Sequence, residues 1–354
     1  MSQTQHSLFQ LGWKNYFNQQ LSIEDLENMQ PYRVSHVYRN RLILLGEAGE
    51  QDLPLDQYPE LLESTIGDWV MLANSAETEL KPRRLDRLSL FERKAPGTHA
   101  KQLIAANVDT AFIVSSFNQD FNLPRIERYL ALSKEADATA VLVLTKADLL
   151  SSEQQDEYLA KLSTLAKKMT ILAVNAKDKN SCEVLNDWCG KGQTVVLLGS
   201  SGVGKTSITN SLCSLQQLTA EIQQDDAKDR HTTTERSLFF TDAGVLILDC
   251  PGMRDLELSE GEEGIETVFS DIEELAKECK FADCHHNNEP GCAVQKAIKQ
   301  GQLEEKRLSN YQEMLEEQAR NSLTLAQSHQ QDKKMGKLYK SAQTAKRHRL
   351  HDEN

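Results

Sequence analysis

The chain has 354 residues, enough for two or three domains with ample core. Apolar residues make up 39% and charged residues 26%, the balance of an ordinary soluble protein and not of a membrane or disordered one. A net charge of −13 excludes indiscriminate nucleic-acid binding over the whole surface but leaves room for local basic patches.

The first residues, Met1–Gln10, are polar, so neither a signal peptide nor a membrane span is expected. A reducing cytoplasm is then the default, where clustered cysteines suggest metal before disulfide. Leu11, Trp13, Phe17, Leu21, Ile23 and Leu26 predict one amphipathic helix or two short ones. Strands are predicted at 33–38, 41–45, 66–72 and 88–92, with a turn at 46–49. Several short strands in so few residues suggest a small β-barrel of the OB type, and a β-sandwich fits the same pattern. Residues 81–101 carry Lys81, Arg83, Arg84, Arg87, Arg93, Lys94 and Lys101. This connector reads either as a track for a phosphate backbone or as a solvated linker.

From Asn107 the rhythm becomes α/β. Strands are predicted at 110–115, 140–144, 170–174, 194–198 and 245–249, and helices at 123–135, 151–168 and 207–215. Alternation of this kind implies a mostly parallel sheet covered on both faces. After Ser270 the chain reads as helical. The tail is polar and basic, with Lys333, Lys334, Lys337, Lys340, Lys346, Arg347 and Arg349.

The strand 194–198 runs into Gly199-Ser200-Ser201-Gly202-Val203-Gly204-Lys205-Thr206, which fits the phosphate-loop pattern G-x-x-x-x-G-K-[ST]. Glycines there let backbone N–H groups turn inward around phosphate oxygens, and the following helix offers its positive end. Lys205 is expected to reach the β- and γ-phosphates, and the Thr206 hydroxyl to hold Mg²⁺. Thr145-Lys146-Ala147-Asp148 follows another strand. The Asp148 carboxylate can accept from guanine N1–H and the exocyclic amine, a donor pair that adenine lacks. Many GTPases have Asn at the Thr145 position, and the shorter threonine is expected to brace the phosphate loop less well. Asn175-Ala176 stands where Ser-Ala is common, and the Ala176 N–H would meet guanine O6. Asp249-Cys250-Pro251-Gly252 fits D-x-x-G, with Asp249 on Mg²⁺ and the Gly252 N–H on the γ-phosphate. One of Thr232, Thr233 and Thr234 is expected to coordinate Mg²⁺ in the triphosphate state. Met253 occupies the place of the glutamine that orients the attacking water in Ras-like enzymes, so intrinsic hydrolysis should be slow. His231 is the candidate to orient or deprotonate water, with Arg230 and Arg254 as further cations.

Ordinary GTPases run phosphate loop, threonine loop, D-x-x-G and then the guanine motifs. Here the guanine motifs come first, which is a circular permutation. Beyond the last motif lies Cys279-x₄-Cys284-x-His286-x₅-Cys292, a set of four ligands suited to a structural Zn²⁺, with His285 as a rival. Cys182, Cys189, Cys213 and Cys250 have no such spacing and read as packed or inert.

The chain resembles the RsgA (YjeQ/YloQ) family of bacterial small ribosomal subunit biogenesis GTPases. The resemblance rests on Ala105-Ala106-Asn107-Val108-Asp109-Thr110, the 199–207 loop with Ser207, Arg230–Thr234, and the run from Cys279 to Val294. It implies a multidomain fold: an OB-fold barrel, a permuted α/β P-loop GTPase domain and a helical zinc-binding domain. The expected segments are a helical extension (1–30), the barrel (31–95), the GTPase domain (96–270), the zinc domain (271–320) and the basic tail (321–354). The resemblance further implies late maturation of the 30S subunit, contact with 16S rRNA, and GTP hydrolysis that is slow alone and faster on the particle. The expected protein is a cytoplasmic monomer without membrane contact. Two other readings stay open: a nucleotide-gated RNA-binding scaffold with incidental hydrolysis, and an ATP-using phosphotransferase, against which Asp148 argues.

Overall fold

The structure is a computed structural model that describes residues 6–75, 80–94, 101–118, 120–212, 237–241, 243–249 and 262–319. The N-terminal stretch forms two short helices, α1 (Asn15–Asn18) and α2 (Ile23–Asn28), and the amphipathic reading holds only in part, because Leu11 and Phe17 are buried whereas Ile23 and Leu26 of α2 are exposed. Ser22 starts α2 with a capping box: its hydroxyl accepts the Asp25 N–H at 3.1 Å, and the Asp25 carboxylate accepts the Ser22 N–H at 2.8 Å. Leu11 and Phe17 are fully buried against Trp69, and Trp13 meets the Trp69 ring edge-on at 4.7 Å.

Strand β1 (Met29–Val37) is the hub of the N-terminal β unit. It pairs antiparallel with β2 (Arg41–Gly46) on one side and β4 (Trp69–Ala73) on the other. β2 continues to β3 (Gly49–Pro54), and β4 to the two-residue β5 (Arg83–Arg84). β3 was not legible as a strand. Its Glu50, Gln51 and Asp52 are all exposed at the edge of the sheet, so no alternation marks it. β6 (Leu90–Lys94) pairs with β7 (Lys101–Ala106) as a separate antiparallel ribbon, and Phe91, Ile104 and Ala105 sink into the α/β core. The connector is therefore built structure over most of its described length. Arg83 bonds Asp25 at 2.8 Å, and Arg87 grips both Asp68 carboxylate oxygens at 2.7 and 2.8 Å. These two arginines are engaged within the fold and do not form a free basic track.

The α/β part consists of β8 (Thr110–Ser116), α3 (Leu123–Glu135), β9 (Thr139–Thr145), α4 (Ser152–Lys161), β10 (Thr170–Ala173), α5 (Lys179–Cys182), β11 (Thr194–Leu198), α6 (Lys205–Leu212), β12 (Ser237–Phe240) and β13 (Leu246–Asp249). The sheet order is β10-β9-β8-β11-β13-β12, parallel except for β12. β12 meets β1 through the single pair His36–Ser237, so one continuous sheet spans both units. β8 is buried at every position because the sheet is covered on both sides. Ile113, Leu142 and Leu198 face α3, whereas Phe112, Val141 and Val195 share the opposite core with Ile208 and Leu185. Asn122 caps α3 by accepting the Arg125 N–H at 3.0 Å, and Pro124 occupies its first turn. The helix expected over 151–168 stops at Lys161 and gives way to a turn and a 3₁₀ segment at Leu165–Lys167.

The C-terminal part comprises α7 (Glu262–Val268), α8 (Ser270–Ala276), α9 (Ala293–Lys299) and α10 (residues 305–319). It packs on α3. A side chain at Gly264 would meet the Ala131 carbonyl at 2.5 Å, so glycine sets the closeness of α7 to α3. Arg307 is buried between the parts. It pairs with Glu127 of α3, bonds Asp271 at 2.8 and 2.7 Å, and stacks on Phe269 at 4.8 Å. Burial pushes the Glu127 carboxyl above its ordinary range, and Arg307 and Asn310 oppose that shift without cancelling it.

A buried arginine, Arg33, reaches the backbone of Asn107. Its guanidinium is buried and donates to the carbonyls of Leu11 at 2.6 Å, Gly67 at 3.3 Å and Asn107 at 3.2 Å. One side chain thus ties the N-terminal extension, the β unit and the entry to β8. Burial pulls its pKa down to about 10 against the attraction of Asp109 and Asp68, so it stays charged at neutral pH. Arg33→Met leaves the buried Leu11 and Asn107 carbonyls without their donor, while the Gly67 carbonyl keeps the Asn107 Nδ2–H at 3.0 Å. We expect a loss of roughly 3–5 kcal/mol in urea unfolding; a loss below about 1 kcal/mol would show that water replaces the guanidinium.

Candidate functional site

The parallel strands all end at one edge of the sheet. The chain leaves β8 toward β9 and β10 on one side and returns at β11 on the other, which makes a topological switch point between β8 and β11. The phosphate loop begins there. Gly199 has φ +152, and a Cβ on it would strike the Val114 carbonyl at 2.3 Å. Gly204 has φ +103 and faces Thr145. Lys205 opens α6 and curls back over the loop, its Nζ donating to the Gly199 carbonyl at 2.7 Å and the Ser200 carbonyl at 2.6 Å. Thr206 and Ser207 stand in the first turn of the same helix, which Ile208 anchors by burying its side chain.

Thr145 braces this loop despite its short side chain. Its hydroxyl lies 2.5 Å from the Val203 carbonyl and 3.2 Å from the Ser115 carbonyl, so its one proton serves the phosphate loop first. Thr145 is itself fully buried. Lys146 follows in the left-handed region with φ +62 and turns the chain outward. Ala147 and Asp148 then sit on a short 3₁₀ turn at the rim, Asp148 exposed. Asn175 and Ala176 arrive beside them, because the Ala147 N–H donates to the Val174 carbonyl at 3.3 Å. Asn175 closes a turn by accepting the Lys177 N–H at 3.1 Å. The Ser211 hydroxyl of α6 donates to the Ala176 carbonyl at 2.8 Å, which ties the 175–176 segment to the helix that follows the phosphate loop.

Asp249 ends β13, whose neighbour β11 leads into the phosphate loop, so its backbone stands at the site edge. Its side chain lies outside the described residues, as do Arg230, His231, Thr232, Thr233, Thr234, Gly252, Met253 and Arg254.

The cysteine cluster is assembled. The ligand atoms of Cys279, Cys284, His286 and Cys292 all lie within 4.8 Å of one another. Cys279 Sγ and Cys292 Sγ are 3.9 Å apart, and His286 Nδ1 is 3.7 and 3.4 Å from them. A tetrahedral Zn²⁺ with ordinary bond lengths requires S···S near about 3.8 Å and S···N near about 3.6 Å, so this donor set fits. His286 is buried and turned inward with φ +61, whereas the rival His285 is exposed. Burial lowers the His286 pKa, leaving the neutral imidazole that a metal needs. Burial would raise the Cys279 thiol, but the backbone N–H groups of Ala293 and Val294 and its neighbouring thiols bring it below its ordinary value. Cys292 caps α9 and accepts the Gln295 N–H at 3.4 Å, so a thiolate there meets the positive helix end.

The RsgA GTPase family profile matches residues 84–259. A curated relative, small ribosomal subunit biogenesis GTPase RsgA 2 of Vibrio parahaemolyticus, is 48% identical over 98% of this chain and 95% of its own. The chain belongs to the RsgA family. A second relative, RsgA of Mesorhizobium japonicum, is 44% identical over 89% of this chain and 91% of its own. Among solved structures, YloQ, titled a circularly permuted GTPase, superposes with a TM-score of 0.57 at 26% identity, over 82% of this chain and 96% of its own. YjeQ from Thermotoga maritima gives 0.58 at 24% identity, over 82% and 99%, and shows the same fold. A profile described as 50S ribosome-binding GTPase matches residues 194–335. It starts at β11, leaving Thr145–Asp148 ahead of it, as a permuted RsgA order requires.

As an RsgA protein the chain is a GTP hydrolase, and Mg²⁺ with the nucleotide follows from GTPase chemistry generally. The arrangement can grip a triphosphate, read a purine edge and hold a metal in a separate closed site. Sequence reasoning missed Arg125. Its Nη1 lies 2.5 Å from the Ser200 hydroxyl of the phosphate loop, a contact spanning 75 residues that no local pattern announces. Cys182 and Cys189 are buried as expected, and burial raises the Cys189 thiol to about 12, with Asp187 adding to the shift.

Proposed function

We propose that this GTPase assists late maturation of the 30S ribosomal subunit and binds it through 16S rRNA. The observation that carries the reading is 48% and 44% identity, over 98% and 89% of the chain, with proteins named for small ribosomal subunit biogenesis, supported by the phosphate-loop motif and the Cys₃His cluster. GTP sits with its phosphates on 199–207, held by Lys205. Its base lies between Lys146, Asp148 and Ala176. Thr206, Asp249 and one of Thr232–Thr234 hold Mg²⁺, and the Gly252 N–H meets the γ-phosphate. His231 orients the water. Zn²⁺ on Cys279, Cys284, His286 and Cys292 fixes the C-terminal unit, and an OB-type β unit provides the second grip on the particle. The protein works as a cytoplasmic monomer; among the described residues no helix is long and apolar enough to cross a membrane.

Met253 favours a slow intrinsic rate, because a thioether cannot position water. GTP turnover measured with and without purified 30S subunits tests the reading. Stimulation by the particle, lost in Lys205→Ala, is the expected result. Nucleotide-dependent binding to 30S without stimulation would favour the scaffold reading instead. Absence of both binding and stimulation would end the assignment to 30S.

A further inference from the structure

Lys205 and Arg125 converge on the same residue. The Lys205 ammonium is 2.6 Å from the Ser200 carbonyl oxygen, and the Arg125 guanidinium is 2.5 Å from the Ser200 hydroxyl. Two hydrogen bonds and the span of one serine separate the charges, so they lie within about 9 Å of each other. Arg125 stands in the first turn of α3 and is exposed at the mouth of the loop. Among the described residues no carboxylate forms an ion pair with it. Its neighbour Arg128 behaves differently, clasping Glu317 at 2.8 and 2.6 Å. Two cations on one residue of a phosphate loop repel each other, and a bound anion between them removes that repulsion.

We propose that Arg125 is a nucleotide-contacting residue that binds the terminal phosphate of GTP across Ser200. This rests on reading 199–207 as the GTP phosphate site. Three features favour the terminal phosphate. Ser200 belongs to the first half of the loop, away from the α6 amides. Lys205, which serves the β- and γ-phosphates in such loops, points to this same residue. Arg125 also comes from α3, whose Ile126 and Leu130 pack on the face of the sheet opposite the one that carries Ile208 and Ala176. A planar guanidinium can keep the Ser200 hydroxyl on one N–H and give others to a phosphoryl group as its charge spreads in the transition state. A hydrolytic site with Met253 in the glutamine position has reason to draw on such a cation.

The test compares full-length wild type, Arg125→Ala, Arg125→Lys, Ser200→Ala and Lys205→Ala. The readings are GTP and GDP affinity by competition, and kcat and KM for GTP. In Arg125→Ala we expect kcat to fall about tenfold or more and GTP affinity to fall while GDP affinity holds. Arg125→Lys should restore part of the loss, and Ser200→Ala should weaken GTP less than Arg125→Ala does. Equal weakening of GTP and GDP would overturn the proposal and leave Arg125 a mere brace of the loop, as would unchanged kinetics. If Lys205→Ala binds and hydrolyses GTP like wild type, the phosphate-loop reading itself falls, and the proposal with it.

Discussion

Stripping the metal from the Cys279–Cys284–His286–Cys292 cluster is expected to unfold the C-terminal unit while the parallel sheet persists. The run from Cys279 to Cys292 contains turns but no helix or strand, and two of its residues, His286 and Asn288, hold positive φ without being glycine. Such a segment has little apolar burial with which to offset chain entropy. A structural Zn²⁺ supplies about 10 kcal/mol or more of folding free energy at neutral pH, which exceeds the stability of most small domains. The loss should extend beyond the loop. Cys292 starts α9, and Cys279 follows α8 closely, so a metal held by these ligands would orient both helices. Metal analysis should find one Zn²⁺ per chain. Hydrogen exchange after treatment with a strong chelator should show lost protection over residues 270–300 and retained protection in β8, β9 and β11. Cys292→Ser should reproduce the effect without chelator. Full protection of 270–300 in metal-free protein would sink the idea. Acid should promote release, because thiolate ligands are protonated as the pH falls.

The limits of sequence reading follow the range of the interactions. The strands at 110–116, 139–145 and 194–198 were legible because burial on both faces demands continuous apolar runs. Helix 123–135 was legible because its cap, Asn122, directly precedes it and its proline lies in its first turn. The phosphate loop is contiguous, so its chemistry is written in eight successive residues. The metal set was legible from spacing, the resemblance favoured His286 over His285, and the burial of His286 agrees with that choice. What escaped depends on distant partners. β3 and the short β5 are strands only because β2 and β4 offer edges to them. Arg83 and Arg87 look like a basic track until Asp25 and Asp68, far earlier in the chain, are seen to hold them. The contact of the Thr145 hydroxyl with the Val203 carbonyl likewise joins residues far apart in the chain. The same holds for the seam between α3 and the C-terminal unit, where Glu127 and Arg307 meet across 180 residues.

Asp148→Asn is expected to transfer the base preference of this enzyme from guanine to xanthine. The carboxylate offers two acceptors, matched to guanine N1–H and the exocyclic amine. The carboxamide offers one acceptor and one donor. Its donor faces the exocyclic amine of guanine, leaving two donors opposed, whereas xanthine carries a carbonyl at that position and satisfies it. GTP affinity should fall about 10³-fold, since the wild-type pair is charge-assisted and the variant opposes like groups. XTP should bind the variant better than GTP, and ATP should bind neither form well. Asp148 is exposed on a short turn at the rim, so the fold has little stake in its side chain, and the thermal midpoint should hold. Rescue by XTP separates a change of base reading from damage to the site. Lys205→Ala, in contrast, should weaken GTP and XTP alike, because the phosphates are common to both. Unchanged GTP affinity in Asp148→Asn would remove Asp148 from the guanine site. Loss of GTP without gain of XTP would place the carboxylate near the base but deny it the paired contact, and the Ala176 N–H would then be the stronger candidate for what reads the ring.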